Sequence, residues 1–354
     1  MVMVEGVSGK WPRDPVDPIS HMLLPRHYGS VPTLFGAPKA QAPEDLVGAD
    51  LVFLGIPWSA PVPDSRMGGA AANYIGTTQT PQALRTNSIK YGGYLPELDI
   101  DIFEHYRLVD YGDSQVYHDI HATFDDVVRR VGQIVDAGAI PITMGGNSGP
   151  SSYSVLQAIA ARAGGPTAVV NFDAHHDNFR GEWSDDSAEQ PAWGGTWARR
   201  ILDLPGVDPK RYFHIGLRGP RNDKGAFERF IEKGVDRAHI YTFRDIVRAR
   251  RQGFEEWAIE VAGQVADGSA KVWIGMDPDV LDMADSPEFG DEPLGPHTDE
   301  VCWLAYEVGR AVGRDRLGGV SFMAVPNTAM TIHWICIYVL LYALAGTLAS
   351  RNVG

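Results

Sequence analysis

Two carboxylates and two imidazoles lie together at residues 173–177 (DAHHD), directly after the apolar run 167–172 (TAVVNF). A second acidic segment, 277–282 (DPDVLD), directly follows the apolar run 271–276 (KVWIGM). A charged side chain at the end of a buried segment costs free energy unless a partner neutralises it. Oxygen donors with an imidazole and no thiolate suit Mn²⁺, Ni²⁺ or a similar divalent ion better than a structural zinc. The two segments together therefore predict a metal site.

The predicted metal ligands are Asp173, His175, Asp177, Asp277 and Asp279. Side chains alternate with period two along a strand, so we expect the three ligands of the first segment to point to one side. The same alternation applies to the two aspartates of the second segment. The first segment alone is equally typical of an Asp/His surface loop, and the second segment favours the metal site.

Apolar runs without strict alternation, typical of strands covered on both faces, recur along the chain. They lie at residues 50–55, 107–110, 140–144, 167–172, 212–216, 239–242, 271–276 and 319–323. Helical patterns lie between them, at residues 124–137, 151–163, 197–202, 254–266, 298–312 and 334–348. This alternation predicts an α/β fold in which a mostly parallel sheet lies between two helical layers.

The active site of such a sheet lies outside the carboxyl ends of its strands. The segments expected to converge there are 110–113 (DYGD), 145–150 (GGNSGP), 173–177, 216–219 (GLRG) and 277–282. No linker or repeat interrupts the chain, so we predict a Pro-rich arm over residues 1–45 and a single domain over 46–354.

Composition excludes several classes of function. The chain has 354 residues and a formal charge of −14 without a Lys/Arg block, which argues against nucleic-acid or anionic-membrane partners. Cys302 and Cys336 form no CxxC pair, and the N-terminus lacks the apolar core of a signal peptide, so we expect a reduced, cytoplasmic protein. The apolar stretch 334–348, about 15 residues against the roughly 20 of a membrane span, predicts a buried helix.

These motifs resemble those of the ureohydrolases, the family of arginase and agmatinase. The two acidic segments are similar to the family's DAHxD and DxDxxD elements. Lesser similarities lie at 55–58 (GIPW), 66–69, 81–85 (PQALR), 110–113 (DYGD) and 215–219 (IGLRG). The resemblance implies a three-layer α/β/α domain, assembly as trimers or hexamers, and a dinuclear metal centre that hydrolyses guanidinium groups and releases urea.

The chain departs from the family pattern at three positions, all in the implied site. Ser148 replaces a histidine ligand of the more exposed metal, Gly194 replaces a proton-shuttling histidine, and Ala324 replaces a glutamate that binds the substrate guanidinium. By the resemblance, the exposed position keeps three aspartates and loses its imidazole. The deeper position keeps its full set, which is Asp173, His175, Asp277 and Asp279.

The losses favour a catalytically degraded subunit that holds one Mn²⁺ or Ni²⁺ ion, or none, and assembles with an active paralogous ureohydrolase. Such a chain is similar to the ligand-poor subunit of heteromeric bacterial metformin hydrolase. One alternative is a divergent, agmatinase-like amidinohydrolase that uses one metal on a substituted guanidine. Another is a metal-stabilised binding protein without catalysis. His176 and His214 are potential replacement ligands, although each is more typical of a polar core residue.

Overall fold

The computed structural model describes residues 32–59, 76–146, 149–178, 194–287 and 292–349. Eight strands form one sheet in the order β4-β1-β5-β10-β9-β6-β7-β8, and every pairing in it is parallel. Two further short strands, β2 and β3, form an antiparallel pair. In chain order the strands are β1 Leu51–Ile56, β2 Tyr94–Leu95, β3 Ile100–Asp101, β4 Leu108–Asp113, β5 Ile140–Gly145, β6 Thr167–Phe172, β7 Val207–Leu217, β8 Ile240–Thr242, β9 Lys271–Met276 and β10 Leu317–Phe322.

Helices connect most of these strands. They are α1 Thr80–Ser88, α2 Ile102–His105, α3 Ile120–Asp136, α4 Val155–Ala160, α5 Trp197–Ile201, α6 Lys224–Glu232, α7 Phe243–Gln252, α8 Phe254–Ala266, α9 Thr298–Arg316 and α10 Met330–Ala349. A π-helical turn, Gly149–Ser154, precedes α4, and a 3-10 turn, Pro278–Val280, follows β9.

Both faces of the sheet are covered by helices. In β1, Leu51 and Phe53 belong to one core, whereas Val52 and Leu54 belong to the other. Helices α1, α7, α8, α9 and α10 contribute to the first core, and α3, α4, α5 and α6 contribute to the second. Because β1 buries side chains on both faces, its sequence is continuously apolar. The predicted three-layer α/β/α fold is confirmed.

The eight predicted strands are the eight strands of the sheet, with shifts of up to three residues at their ends except in β7, which begins five residues earlier than predicted. The helix predicted over residues 151–163 is shorter, because its first part forms the π-helical turn. Helices α1, α2, α6 and α7 were not predicted. A sequence signal for α7 was present: Thr242 and Asp245 form a capping box, with Thr242 N donating to Asp245 Oδ2 at 2.9 Å.

The predicted burial of the C-terminal helix is confirmed, but the helix is longer than the predicted stretch 334–348. Helix α10 has 20 residues and is long and apolar enough to cross a membrane by length and composition alone. However, 78% of its most apolar window is buried inside the fold, against α9 and the sheet. A helix that is apolar on every side is typical of the interior of a large domain as well as of a membrane.

The N-terminal segment packs on the body of the fold from residue 33 onwards. Leu34 and Phe35 are buried, and Leu34 N donates to Asp110 Oδ2 at 2.8 Å. Residues 1–31 of the predicted arm lie outside the described part of the chain. The domain boundary at residue 45 stays a prediction.

Candidate metal centre

The two acidic segments leave the sheet side by side. Strands β6 and β9 are neighbours, and their last residues, Phe172 and Met276, are paired. Asp277 N donates to Phe172 O at 2.9 Å, so the pairing continues one residue past the end of β9. Parallel strands end at the same edge of a sheet, and this places both sets of carboxylates at one point.

Three of the five predicted ligands form a tight, buried group. One ligand atom from each of Asp173, His175 and Asp279 lies within 4.8 Å of the other two. His175 Nδ1 is 2.8 Å from Asp279 Oδ2. Main-chain N–H groups orient the carboxylates: His175 N donates to Asp173 Oδ1 at 2.7 Å, and Ala174 N donates to Asp279 Oδ1 at 3.0 Å.

Asp277 and Asp177 border this group without belonging to it. Asp277 is buried and caps the 3-10 turn, accepting a hydrogen bond from Asp279 N at 3.0 Å. Asp177 has a φ of 41° and accepts a hydrogen bond from Trp197 Nε1 at 2.6 Å. All five predicted ligands lie beyond the strand ends, so the alternation of side chains along a strand does not explain their convergence. The 3-10 turn brings Asp279 into the group.

The electrostatics of these aspartates suit a site that binds a cation. Burial, followed by repulsion from Asp177, raises the pKa of Asp173 well above its ordinary value. Burial, followed by repulsion from Asp279, raises the pKa of Asp277 well above its ordinary value. Burial also raises the pKa of Asp177 to about 7. Carboxylates that repel one another in a buried site are stabilised by a bound cation.

One ion pair exists within the group. Although burial favours the neutral ring, Asp279 raises the pKa of His175 to about 10. Although burial alone would raise it, His175 lowers the pKa of Asp279 to about 2. The pKa values of Asp173, Asp177 and Asp277 stay raised beside this ion pair. The donor set of hard oxygens and one imidazole therefore fits a divalent ion such as Mn²⁺.

Two buried residues that contact the site, Glu292 and Arg218, were not singled out as site residues from the sequence. Glu292 is buried, and its Oε1 lies 3.1 Å from His175 Nε2. Arg218 is also buried, and its guanidinium lies 2.7–3.2 Å from six main-chain carbonyl oxygens. These oxygens belong to Gly216, Asp279, Val280, Leu281, Glu292 and Pro293. Arg218 therefore joins the loop that carries Asp279 to the loop that carries Glu292.

Neither proposed replacement histidine joins the group. His214 is buried beneath it, with Nε2 3.0 Å from Asp173 O and Nδ1 3.2 Å from Tyr212 Oη. Both ring nitrogens of His176 lie near main-chain N–H groups, at 3.1 Å from Asn178 N and 3.0 Å from Asp223 N. Burial lowers the pKa of His214 to about 3 and that of His176 to about 4, so both rings are neutral at physiological pH.

The DYGD segment forms a separate, structural cluster. Strand β4 is at the edge of the sheet, with three strands between it and β9. Arg85 Nε and Nη2 donate to the two oxygens of Asp110 at 2.8 and 3.0 Å, and Nη1 donates to Asp113 Oδ1 at 2.7 Å. The segment lies at the end of a parallel strand of the same sheet, as expected, but its two carboxylates are bound by Arg85 and do not belong to the ligand group.

Comparison with known proteins identifies the family. The sequence pattern of the Arginase family matches residues 49–318. The chain belongs to the arginase family. It is 26% identical over 256 residues to guanidino acid hydrolase, mitochondrial, of Homo sapiens, a match that covers 72% of this chain but only 64% of the human protein. It is 28% identical over 293 residues to formimidoylglutamase of Bacillus subtilis, covering 78% of this chain and 83% of that protein.

Solved structures of other arginase-family proteins share the fold. Proclavaminate amidino hydrolase from Streptomyces clavuligerus superposes with a TM-score of 0.72 at 24% identity, covering 91% of this chain and 99% of that chain. Formiminoglutamase of Trypanosoma cruzi, solved with Mn²⁺, superposes with a TM-score of 0.70 at 19% identity, covering 90% of this chain and 98% of that chain.

The three positions that depart from the arginase-family pattern differ in how the structure describes them. Ser148 lies outside the described residues. Ala324 follows β10 in a left-handed conformation with a φ of 55°, is buried, and donates from its N to Gly146 O at 2.9 Å. Gly194 lies in the turn before α5, three residues from Trp197, which contacts Asp177. Ala324 follows the strand next to β9, and Gly194 precedes the helix that reaches Asp177, so both lie on segments around the ligand group.

Proposed function

We propose that this chain is an arginase-family subunit of an amidinohydrolase that acts on C–N bonds of guanidine- or biguanide-type substrates and releases urea. Its buried pocket would hold one Mn²⁺ or Ni²⁺ ion, or none. The observation that carries the metal site is the buried group of Asp173, His175 and Asp279, surrounded by further aspartates with raised pKa values. A divalent ion in such a site supplies Lewis-acid activation of water and substrate.

The substrate class rests on the named relatives. Proteins similar to this chain include guanidinopropionase of Pseudomonas aeruginosa and agmatinase of Chromobacterium violaceum. Both names describe hydrolysis of a guanidino compound. We propose a related substrate for the complex in which this chain works, in the cytoplasm.

The chain itself is proposed to be the catalytically degraded member of a hetero-oligomer with an active paralogue, in a trimer- or hexamer-type assembly. Ala324 offers a methyl group where a carboxylate would bind a guanidinium, and this removes a charge-assisted, bidentate contact. Gly194 offers no side chain for proton transfer, a contribution of about 10²–10⁴ in rate. A subunit that only supports an active neighbour needs neither a carboxylate at position 324 nor a proton-transfer group at position 194.

An alternative is a divergent enzyme that works with one metal on a substituted guanidine. The observation that favours it is the intact inner group, in which Glu292 also orients the ring of His175. A substrate whose guanidinium nitrogens carry alkyl groups cannot donate a full bidentate pair, so it has less need of a carboxylate at position 324.

The test is to purify the chain alone, add Mn²⁺ or Ni²⁺, and measure urea release from guanidines and biguanides, including metformin. We expect no turnover by the chain alone and turnover on mixing with an arginase-family paralogue from the same organism. Robust turnover by the homomer would eliminate the partner-subunit proposal and support the alternative. A stable complex without activity would instead indicate a binding protein.

The metal content gives a second test of the same proposal. We expect at most one equivalent of metal per chain by elemental analysis. We expect the substitution Ser148→His to raise the content toward two, because it restores an imidazole at the exposed position. Two equivalents in the unmodified chain would contradict the proposed loss.

A further inference from the structure

A tryptophan side chain reaches the candidate metal site from the second core. Trp197 Nε1 donates to Asp177 Oδ2 at 2.6 Å, and Trp197 is fully buried. Its ring meets the ring of Trp273 edge to face, with the centroids 6.0 Å apart and an interplanar angle of 74°. Trp273 Nε1 in turn donates to Ser321 Oγ at 2.8 Å, which ties this aromatic pair to β10. The position of the indole N–H is therefore fixed by the packing of the core.

The hydrogen bond from Trp197 limits which oxygen of Asp177 can bind a cation. A hydrogen bond to an ionised carboxylate is shorter and stronger than one between neutral groups, and 2.6 Å is at the short end for a nitrogen donor. Because Oδ2 accepts the hydrogen bond from the indole, Oδ1 is the carboxylate oxygen of Asp177 that remains to bind a metal ion. Asp177 also has a left-handed φ of 41°, a conformation that is uncommon for a residue other than glycine.

We propose that Trp197 is a positioning residue that holds Asp177 as a one-oxygen metal ligand. This inference rests on the metal site proposed above and adds that Asp177, which interacts electrostatically with Asp173, His175 and Asp279, is a ligand of its single ion, whereas the family resemblance places Asp177 at the exposed position only. Outer hydrogen-bond partners of metal ligands fix the orientation of those ligands, and their loss costs about 10- to 100-fold in metal affinity. The position belongs to α5, a helix that otherwise contributes only to the second core.

A purely structural role for Trp197 makes a different prediction. A buried indole that only fills space would lower thermal stability when truncated and would leave the affinity for metal unchanged. The two roles are separated by a side chain of the same shape without the N–H group. We therefore choose β-(3-benzothienyl)alanine, in which sulfur replaces that group, at position 197 of the full-length chain.

The experiment compares this variant and Trp197→Phe with the unmodified protein by calorimetric titration with Mn²⁺. We expect both to bind Mn²⁺ about 10- to 100-fold more weakly, and we expect the benzothienyl substitution to lower the thermal midpoint of the metal-free protein only by the loss of one hydrogen bond. In an Asp177→Ala background, the change at position 197 should produce no further loss, because the two residues act through one contact. Trp257→Phe is the matched control, since Trp257 packs on Tyr241 and Phe254 in the first core.

The outcomes distinguish this inference from the proposed function. If the unmodified chain binds Mn²⁺ and the benzothienyl variant binds it equally well, the inference is overturned and the metal site stands. The inference is likewise overturned if Trp197→Phe lowers only the thermal midpoint. If the unmodified chain takes up no Mn²⁺, the role of Trp197 is overturned, whereas the proposed function, which allows a subunit without metal, stands.

Discussion

The ring of His175 lies between two carboxylates, with Nδ1 2.8 Å from Asp279 Oδ2 and Nε2 3.1 Å from Glu292 Oε1. In metal sites, a histidine ligand commonly donates its second ring N–H to a carboxylate, which fixes the orientation of the ring and raises its basicity. The Glu292 contact has this form, because it leaves Nδ1 facing the ligand group.

We expect Glu292→Gln to weaken Mn²⁺ binding by roughly 10-fold or more. The amide oxygen still accepts from His175 Nε2, but the neutral side chain no longer stabilises the ring electrostatically. Titration calorimetry measures the effect, and Glu228→Gln is a matched control because that side chain is 57% exposed on α6. Equal affinities in the Glu292 variant and the unmodified protein would remove Glu292 from the metal site.

The metal-free protein should lose stability between pH 6.5 and 8.5. Burial raises the pKa of Asp177 to about 7 in the folded state from an ordinary 3.8, so the stability linked to its protonation is lost as pH rises through 7. The pKa of His175 is raised to about 10 from an ordinary 6.5, so stability is also lost as pH rises above 6.5. His176 and His214 act weakly in the opposite direction at the lower end of this window, because their lowered pKa values keep them neutral in the folded state while they are half protonated in the unfolded state at pH 6.5.

Thermal unfolding at the two pH values checks this prediction. One unit of pKa shift corresponds to about 1.4 kcal/mol, so the loss should be on the order of a few kcal/mol. Mn²⁺ should raise the midpoint more at pH 8.5 than at pH 6.5, because its ligands must be deprotonated. In Asp177→Asn the pH dependence should be smaller. A metal-free protein that is more stable at pH 8.5 would show that these aspartates are not protonated in the folded state.

The sequence was sufficient to predict the sheet and the convergence of the two acidic segments. Strands β6 and β9 are continuous apolar runs that end at an acidic residue, and a parallel sheet aligns such ends. These features are local, so they can be recognised without knowledge of the tertiary contacts.

The contacts that surround the ligands could not be predicted in the same way. Glu292 is 117 residues from His175 along the chain, and the pair depends on how Arg218 joins two loops. Trp197 is typical of a core residue, and its contact with Asp177 depends on a left-handed turn. Such contacts are set by tertiary packing and leave no periodic signal in one sequence.

We expect Asp277→Asn to abolish metal binding without destabilising the metal-free protein. The asparagine oxygen can still accept from Asp279 N, so the cap of the 3-10 turn is kept while a buried negative charge is removed. Elemental analysis and thermal unfolding at pH 8.5 measure the two effects. Asp282→Asn is a matched control in the same segment, where the aspartate caps Ala284 N at 2.8 Å. Full metal content in Asp277→Asn would exclude Asp277 as a ligand.

Arg218→Lys should destabilise the protein and weaken metal binding together. The lysine ammonium has three donors at one point, so it cannot reach the carbonyl oxygens that the guanidinium contacts on both loops. Buried carbonyls without partners cost about 1–3 kcal/mol each, and we expect a loss of roughly 3 kcal/mol or more in the free energy of unfolding. Urea denaturation measures this loss. The control Arg248→Lys changes a side chain that is 55% exposed, and it should leave the midpoint unchanged. If the two variants unfolded at the same urea concentration, Arg218 would not be what joins the loop of Asp279 to the loop of Glu292.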